Sequence, residues 1–173
     1  MIKIGPVGRT NGRGISAWND GGKEKIVQIF IAHGDWIYSL QYLYVDQNGN
    51  LVLSDSHGTT ASSETSKFDV VKLDYPSEFI TGISGIRGCH GTASIFCDEH
   101  ILSITFTTNK RTYGPFGGPG GGDSAFRYQL GPDRPFGGFH GYSSGRYLEA
   151  IGLYVKPLTT LSNDQEKVKN EKV

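Results

Sequence analysis

The sequence has little cysteine, one methionine, no excess of charge of either sign and no long apolar run. Its two cysteines, Cys89 and Cys97, cannot form a disulfide framework, and their spacing fits no common zinc pattern. The favoured reading is two reduced, structural thiols; a disulfide closing a hairpin-like loop is the alternative. The 17 Lys+Arg balance 17 Asp+Glu. That neutrality argues against a broad electrostatic footprint for nucleic acid or acidic membranes. No window approaches the roughly 18 consecutive apolar residues of a membrane span. The segment Met1-Ile2-Lys3-Ile4-Gly5-Pro6 has neither a long apolar stretch nor a small-residue cleavage site. The expectation is therefore no signal peptide, no membrane insertion and a cytoplasmic or nuclear location.

Chemistry-bearing motifs are equally scarce. The five histidines, His33, His57, His90, His100 and His140, show no metal-ligand spacing. There is no Gly-x-Ser-x-Gly elbow. The run Gly117-Gly118-Pro119-Gly120-Gly121-Gly122 lacks the Lys-Ser/Thr that completes a phosphate cradle. Asp69, Asp74 and Asp98 have no paired-acid context. No enzyme activity, cofactor or metal is expected.

Glycine and aromatic residues are what the chain has in plenty. The 25 glycines among 173 residues are about twice the usual share of roughly 7%. Nine Tyr, nine Phe and two Trp argue against a disordered glycine-rich chain. Glycine costs about 1 kcal/mol at a helix-interior site, so long helices are nearly excluded and the glycines belong to turns. Short β-branched and aromatic runs separated by Gly, Asn and Pro fill the sequence, which reads as all-β. Residues 1–158 form one domain, large enough to fold without metals or disulfides. Residues 159–173 are charged and apolar-poor, and read as a flexible tail.

Three segments align without gaps: Ile37–Tyr44, Ile101–Thr108 and Leu148–Val155. Each reads apolar, variable, small, aliphatic, variable, apolar. A glycine turn precedes the first and third, and a polar, mostly glycine-rich loop belongs to each (residues 8–14, 54–63 and 114–123). Three copies of one β-unit suggest three small sheets around a pseudo-threefold axis. One such sheet cannot bury its apolar face alone; three facing inward can.

Several ordered motifs then carry a resemblance. They include Ile4-Gly5-Pro6-Val7-Gly8, Ala17-Trp18-Asn19-Asp20-Gly21, Leu53-Ser54-Asp55-Ser56-His57-Gly58 and Asp74-Tyr75-Pro76-Ser77-Glu78-Phe79-Ile80-Thr81-Gly82. Others are Tyr113-Gly114-Pro115-Phe116-Gly117, Phe136-Gly137-Gly138-Phe139-His140-Gly141 and Leu148-Glu149-Ala150-Ile151-Gly152-Leu153-Tyr154-Val155-Lys156-Pro157. Over residues 4–157 the chain resembles the jacalin-related plant lectins, of the single-domain, mannose-binding type. The resemblance implies a β-prism I of three four-stranded Greek-key sheets. It also implies reversible binding of mannose- or glucose-class sugars or N-glycans, a homo-oligomer with a dimer favoured, and a role in plant stress or defence.

A neutral sugar needs exposed backbone N–H groups, an acceptor for its hydroxyls and an apolar surface. The family supplies these from a Gly-x-x-x-Asp loop and an N-terminal glycine. Carried over, the sugar-binding residues are Gly145, Arg146, Tyr147, Glu149 and Gly12. Glu149 stands where the family has Asp, and its extra methylene is expected to move the carboxylate outward. Arg9, Arg13 and Arg146 interrupt the glycine-rich surroundings; they either crowd the pocket or reach a larger or acidic glycan. A degenerate second site is conceivable at Gly34, Asp35, Trp36 and Tyr38, where Tyr38 replaces the acid. The third repeat, Cys97-Asp98-Glu99-His100, is expected to hold no site. The alternative function is a lectin-fold protein with weakened or lost sugar binding that serves as a protein-interaction module.

Overall fold

A computed structural model describes residues 1–60, 66–89, 98–120 and 124–159. The tail from residue 160 onward lies outside the described residues. Thirteen strands are described: β1 (Ile2–Gly8), β2 (Ser16–Asn19), β3 (Ile26–His33), β4 (Ile37–Val45), β5 (Leu51–Leu53), β6 (His57–Gly58) and β7 (Lys67–Lys72). They continue as β8 (Ile80–Gly88), β9 (His100–Thr108), β10 (Thr112–Gly117), β11 (Ser124–Gln129), β12 (Phe136–Ser143) and β13 (Leu148–Val155). They form three antiparallel sheets in the orders β1-β13-β12-β2, β5-β4-β3-β7 and β10-β9-β8-β11, with β6 continuing beside β4. Since β5 and β6 flank successive parts of β4, each sheet is four strands wide.

The three aligned segments are β4, β9 and β13, an inner strand of each sheet. Their first, fourth and sixth residues are Ile37, Leu40 and Tyr42; Ile101, Ile104 and Phe106; and Leu148, Ile151 and Leu153. All nine have no exposed surface and form the centre of one core. First and fourth positions share a face only if the two-residue alternation is broken between them. It is broken, by a β-bulge in the same place in every repeat. Register slips between the pairs Ala32↔Ser39 and His33↔Ile37, Ile86↔Ser103 and Arg87↔Ile101, and Tyr142↔Ala150 and Ser143↔Leu148. The extra residues are Tyr38, Leu102 and Glu149. A bulge re-aims the side chain at its extra residue and frees backbone groups from the ladder.

Glycine explains what happens to those freed groups. Gly8, Gly58 and Gly117 have φ of +107°, +108° and +101°. A Cβ on them would stand 2.3, 2.0 and 2.0 Å from the carbonyl oxygens of Glu149, Tyr38 and Leu102. Only glycine permits that backbone angle and that approach. The following N–H then donates to the same carbonyl: Arg9 to Glu149 at 2.9 Å, Thr59 to Tyr38 at 3.0 Å and Gly118 to Leu102 at 3.0 Å. Each neighbouring loop is thereby tied over the bulge of its repeat.

One expectation is overturned. Cys89, directly after β8, is disulfide-bonded rather than a reduced thiol. The only other cysteine, Cys97, lies outside the described residues. Gly88, the residue before Cys89, pairs with His100 across β8 and β9. That geometry suits the loop-closing alternative.

Candidate functional site

The bulge at Glu149 faces an open cleft of about 590 Å³. Arg9, Arg13, Gly14 and Ile15 line it from the N-terminal loop, Asp98 from just before β9 and His100 from its first residue, Ser144, Gly145, Arg146 and Tyr147 from the β12–β13 turn, and Glu149 from the start of β13. Four of the five residues expected to bind sugar therefore meet here. Gly12 does not line the cleft. A Cβ on Gly12 would lie 2.5 Å from Nη2 of Arg9, so this glycine makes room for the guanidinium that lies across it. Arg9 is held there by an ion pair with Asp98 at 2.8 Å.

Glu149 does not reach outward. Its residue is 2% exposed, and its carboxylate accepts a hydrogen bond from Nδ1 of His100 at 2.6 Å. Burial alone would raise this carboxyl's pKa. Hydrogen bonds from His100 and Ser144, and the nearby charges of His100 and Arg9, outweigh that cost and hold it below the usual glutamate value. The carboxylate is therefore ionised at neutral pH, and an ionised carboxylate can only accept, so the His100 proton sits on Nδ1. The extra methylene of Glu over Asp is what lets the group span to the neighbouring sheet.

Ser144 organises the turn. Its Oγ accepts from the N–H groups of Arg146 at 3.2 Å and Tyr147 at 3.1 Å, while its backbone N–H donates to the Tyr147 carbonyl at 3.0 Å. The two N–H groups expected to face sugar oxygens thus already have an acceptor. Both bonds are longer than the usual 2.9–3.0 Å for N–H···O, so a ligand oxygen can compete for them.

The aromatic surface comes from all three repeats. The ring of Tyr147 lies 4.7 Å from His100, 5.4 Å from Trp36 and 6.2 Å from Tyr38. Tyr38 and Trp36 thus support the cleft from beside it. Tyr38 is buried, with its hydroxyl against Gly34, where a Cβ would approach it to 2.7 Å. Asp35 is exposed. A second site at these four residues gains nothing from their placement.

Besides Gly14, Ile15 and Ser144, the cleft holds two residues of the third repeat, Asp98 and His100, where no site is expected from the sequence. A signal for His100 existed: extending the three-way alignment by one residue toward the N-terminus places Trp36, His100 and Tyr147 in register. Three rings at one threefold-equivalent position, next to the bulges, converge at one end of the prism. Among the described residues no group of three or more His, Cys, Asp or Glu is placed to hold a metal.

Three bulged sheets, with an open, polar cleft over one bulge, define a β-prism binding protein. The chain belongs to the jacalin-like lectin domain family, whose model matches residues 4–154. It is 42% identical over 164 residues to "Inactive protein RESTRICTED TEV MOVEMENT 1" of Arabidopsis thaliana, spanning 92% of this chain and 90% of that one. Among solved structures it resembles the mannose-binding lectin from Champedak, with a TM-score of 0.73, 30% identity and coverage of 90% and 97%. It also resembles a mannose-specific jacalin-related lectin from Morus nigra in complex with mannose, with a TM-score of 0.71, 31% identity and coverage of 90% and 94%. The chain is a member of a family of non-catalytic plant lectins, not an enzyme.

Proposed function

We propose that the chain reversibly binds glycans of the mannose or glucose class in the cleft beside Glu149. The observation that carries this reading is the convergence of the bulged Glu149 carboxylate with the Ser144–Tyr147 turn at one open space. Two structural relatives are named for mannose binding, and this agrees with the same reading. A carboxylate has about four acceptor positions, and His100 and Ser144 leave some of them for sugar hydroxyls. The ring of Tyr147 offers an apolar partner for the sugar's C–H face. Monovalent binding is weak on this account, on the order of 1 mM, because the ligand exchanges existing hydrogen bonds for its own. Avidity from a homo-oligomer, a dimer being favoured, then supplies useful affinity. A plant cytoplasmic or nuclear setting, with a role in stress or defence, is part of the same proposal.

The second reading is a lectin fold that has lost sugar binding and recognises proteins. It is favoured by the engagement of Glu149 with His100 and of both turn N–H groups with Ser144. Titration of the purified chain with methyl mannoside and N-glycans, by calorimetry and by NMR, separates the two. Saturable binding supports the lectin. No saturation by any glycan at about 50 mM leaves only the second reading.

A further inference from the structure

The cleft is unbalanced in its hydrogen-bonding chemistry. Its two acids each already have an internal partner, Asp98 in Arg9 at 2.8 Å and Glu149 in His100 at 2.6 Å, so only part of their acceptor capacity is left. Two further cations line the same cleft, Arg13 from the N-terminal loop and Arg146 from the β12–β13 turn. Both are exposed, and among the described residues neither makes an ion pair. What the cleft offers a ligand is therefore mostly donors: two guanidinium forks and the long-bonded N–H groups of the turn. A neutral sugar brings hydroxyls that donate as much as they accept, and leaves both forks unmatched. An anionic sugar brings an acceptor-only group whose planar or tetrahedral oxygens fit a guanidinium fork. The chain as a whole is neutral, with 17 Lys+Arg and 17 Asp+Glu. The surplus is a property of this cleft and not of the surface in general.

We propose that the cleft prefers an acidic glycan, with a uronic-acid carboxylate or a sulfate ester on the sugar held by Arg13 and Arg146. This rests on the lectin reading and adds the charge of the ligand. Exposed charge pairs are screened by salt, so the preference must weaken as ionic strength rises.

The test compares methyl glucuronoside, glucose 6-sulfate, methyl glucoside and inorganic sulfate, titrated into the full chain at low and high salt and read by NMR. The expected result is binding of the two acidic sugars roughly 10-fold tighter than methyl glucoside at low salt, narrowing at high salt. The glucuronoside and sulfate-ester arms tell which anion the forks favour. In R13A/R146A the ratio of acidic to neutral affinity falls toward one. Equal affinity for charged and neutral sugars overturns the anionic preference and leaves the lectin reading standing. Inorganic sulfate binding as tightly as the sulfated sugar overturns the glycan part of the proposal. An acidic-sugar preference that survives in R13A/R146A overturns the assignment to these arginines. No binding of any sugar overturns this proposal and the lectin reading together.

Discussion

Asp20 and Glu149 are equally hidden, at 2% exposure each, and each accepts from a histidine nitrogen at 2.6 Å. Their surroundings differ. Asp20 is enclosed by its partners: Nε2 of His57, Nζ of Lys23 at 2.5 Å and the hydroxyl of Tyr42. Trp18 stacks on His57 with ring centroids 3.7 Å apart and closes the group on one side. Tyr42 belongs to the nine-residue centre of the core, so Asp20 ties the loop after β2 to that centre. Glu149 has its histidine and its serine on one side and an open cleft on the other. A buried, ion-paired carboxylate is therefore no sign of a site by itself. It becomes one where its partners lie at the rim of the sheets and no core side chain is among them, and where space remains for another molecule.

If that contrast is right, removing the two carboxylates should do different things. D20A should have the largest effect on stability, about 3–5 kcal/mol, because it strands the Tyr42 hydroxyl and His57 in the interior. Urea denaturation measures it, and glycan affinity of the folded fraction should stay as in the parent. A loss below about 1 kcal/mol would show that Asp20 is not the structural member of the pair.

Acid should find the same group next. Burial would raise the Asp20 pKa, but hydrogen bonds from His57, Lys23 and Tyr42, with the His57 charge, bring it from the usual 3.8 down to about 2. A depressed folded-state value gives stability that is fully present above the unfolded value. That stability is lost as pH falls through the folded one. The chain should lose on the order of 2 kcal/mol between about pH 4 and pH 2. Urea midpoints across that range should flatten in D20N. An unchanged slope in D20N would assign the acid sensitivity to other carboxylates, of which Glu78 and Glu149 also lie below their usual values.

The contrast also separates what the sequence could disclose from what it could not. The strands β4, β9 and β13 were legible because their apolar positions recur in one order, and those positions are the buried ones. The loop Gly145–Glu149 was legible through the family motif alone. Tyr38, Leu102 and Glu149 share the bulge, but their side chains share no chemistry, so an aligned column of Tyr, Leu and Glu gives no hint of a common geometry. His100 and Glu149 meet across 49 positions and two sheets. No local spacing encodes such a contact; only folding the repeats onto one axis places them together. Gly12, absent from the cleft lining, shows the complementary difficulty. A glycine in a ligand-binding loop suggests close approach of a ligand, whereas here the approaching group is the chain's own Arg9.

The smaller effects belong to the open side of the comparison. E149A should cost about 1–3 kcal/mol, less than D20A, because water in the cleft can take over the His100 proton. The same variant should abolish glycan binding. Retained affinity in E149A would move the ligand elsewhere on the prism. H100A should be milder still, at about 1 kcal/mol, with glycan affinity reduced roughly five-fold as Glu149 loses the partner that aims it. H100N tests whether that aim is the reason. Its side-chain amide can donate from near the place of Nδ1, so H100N should recover most of the affinity lost in H100A while lacking the imidazole ring against Tyr147. If H100N binds as weakly as H100A, the histidine acts through its tilted ring contact with Tyr147 and not through the carboxylate. The cleft would then be shaped by its three threefold-related rings more than by Glu149.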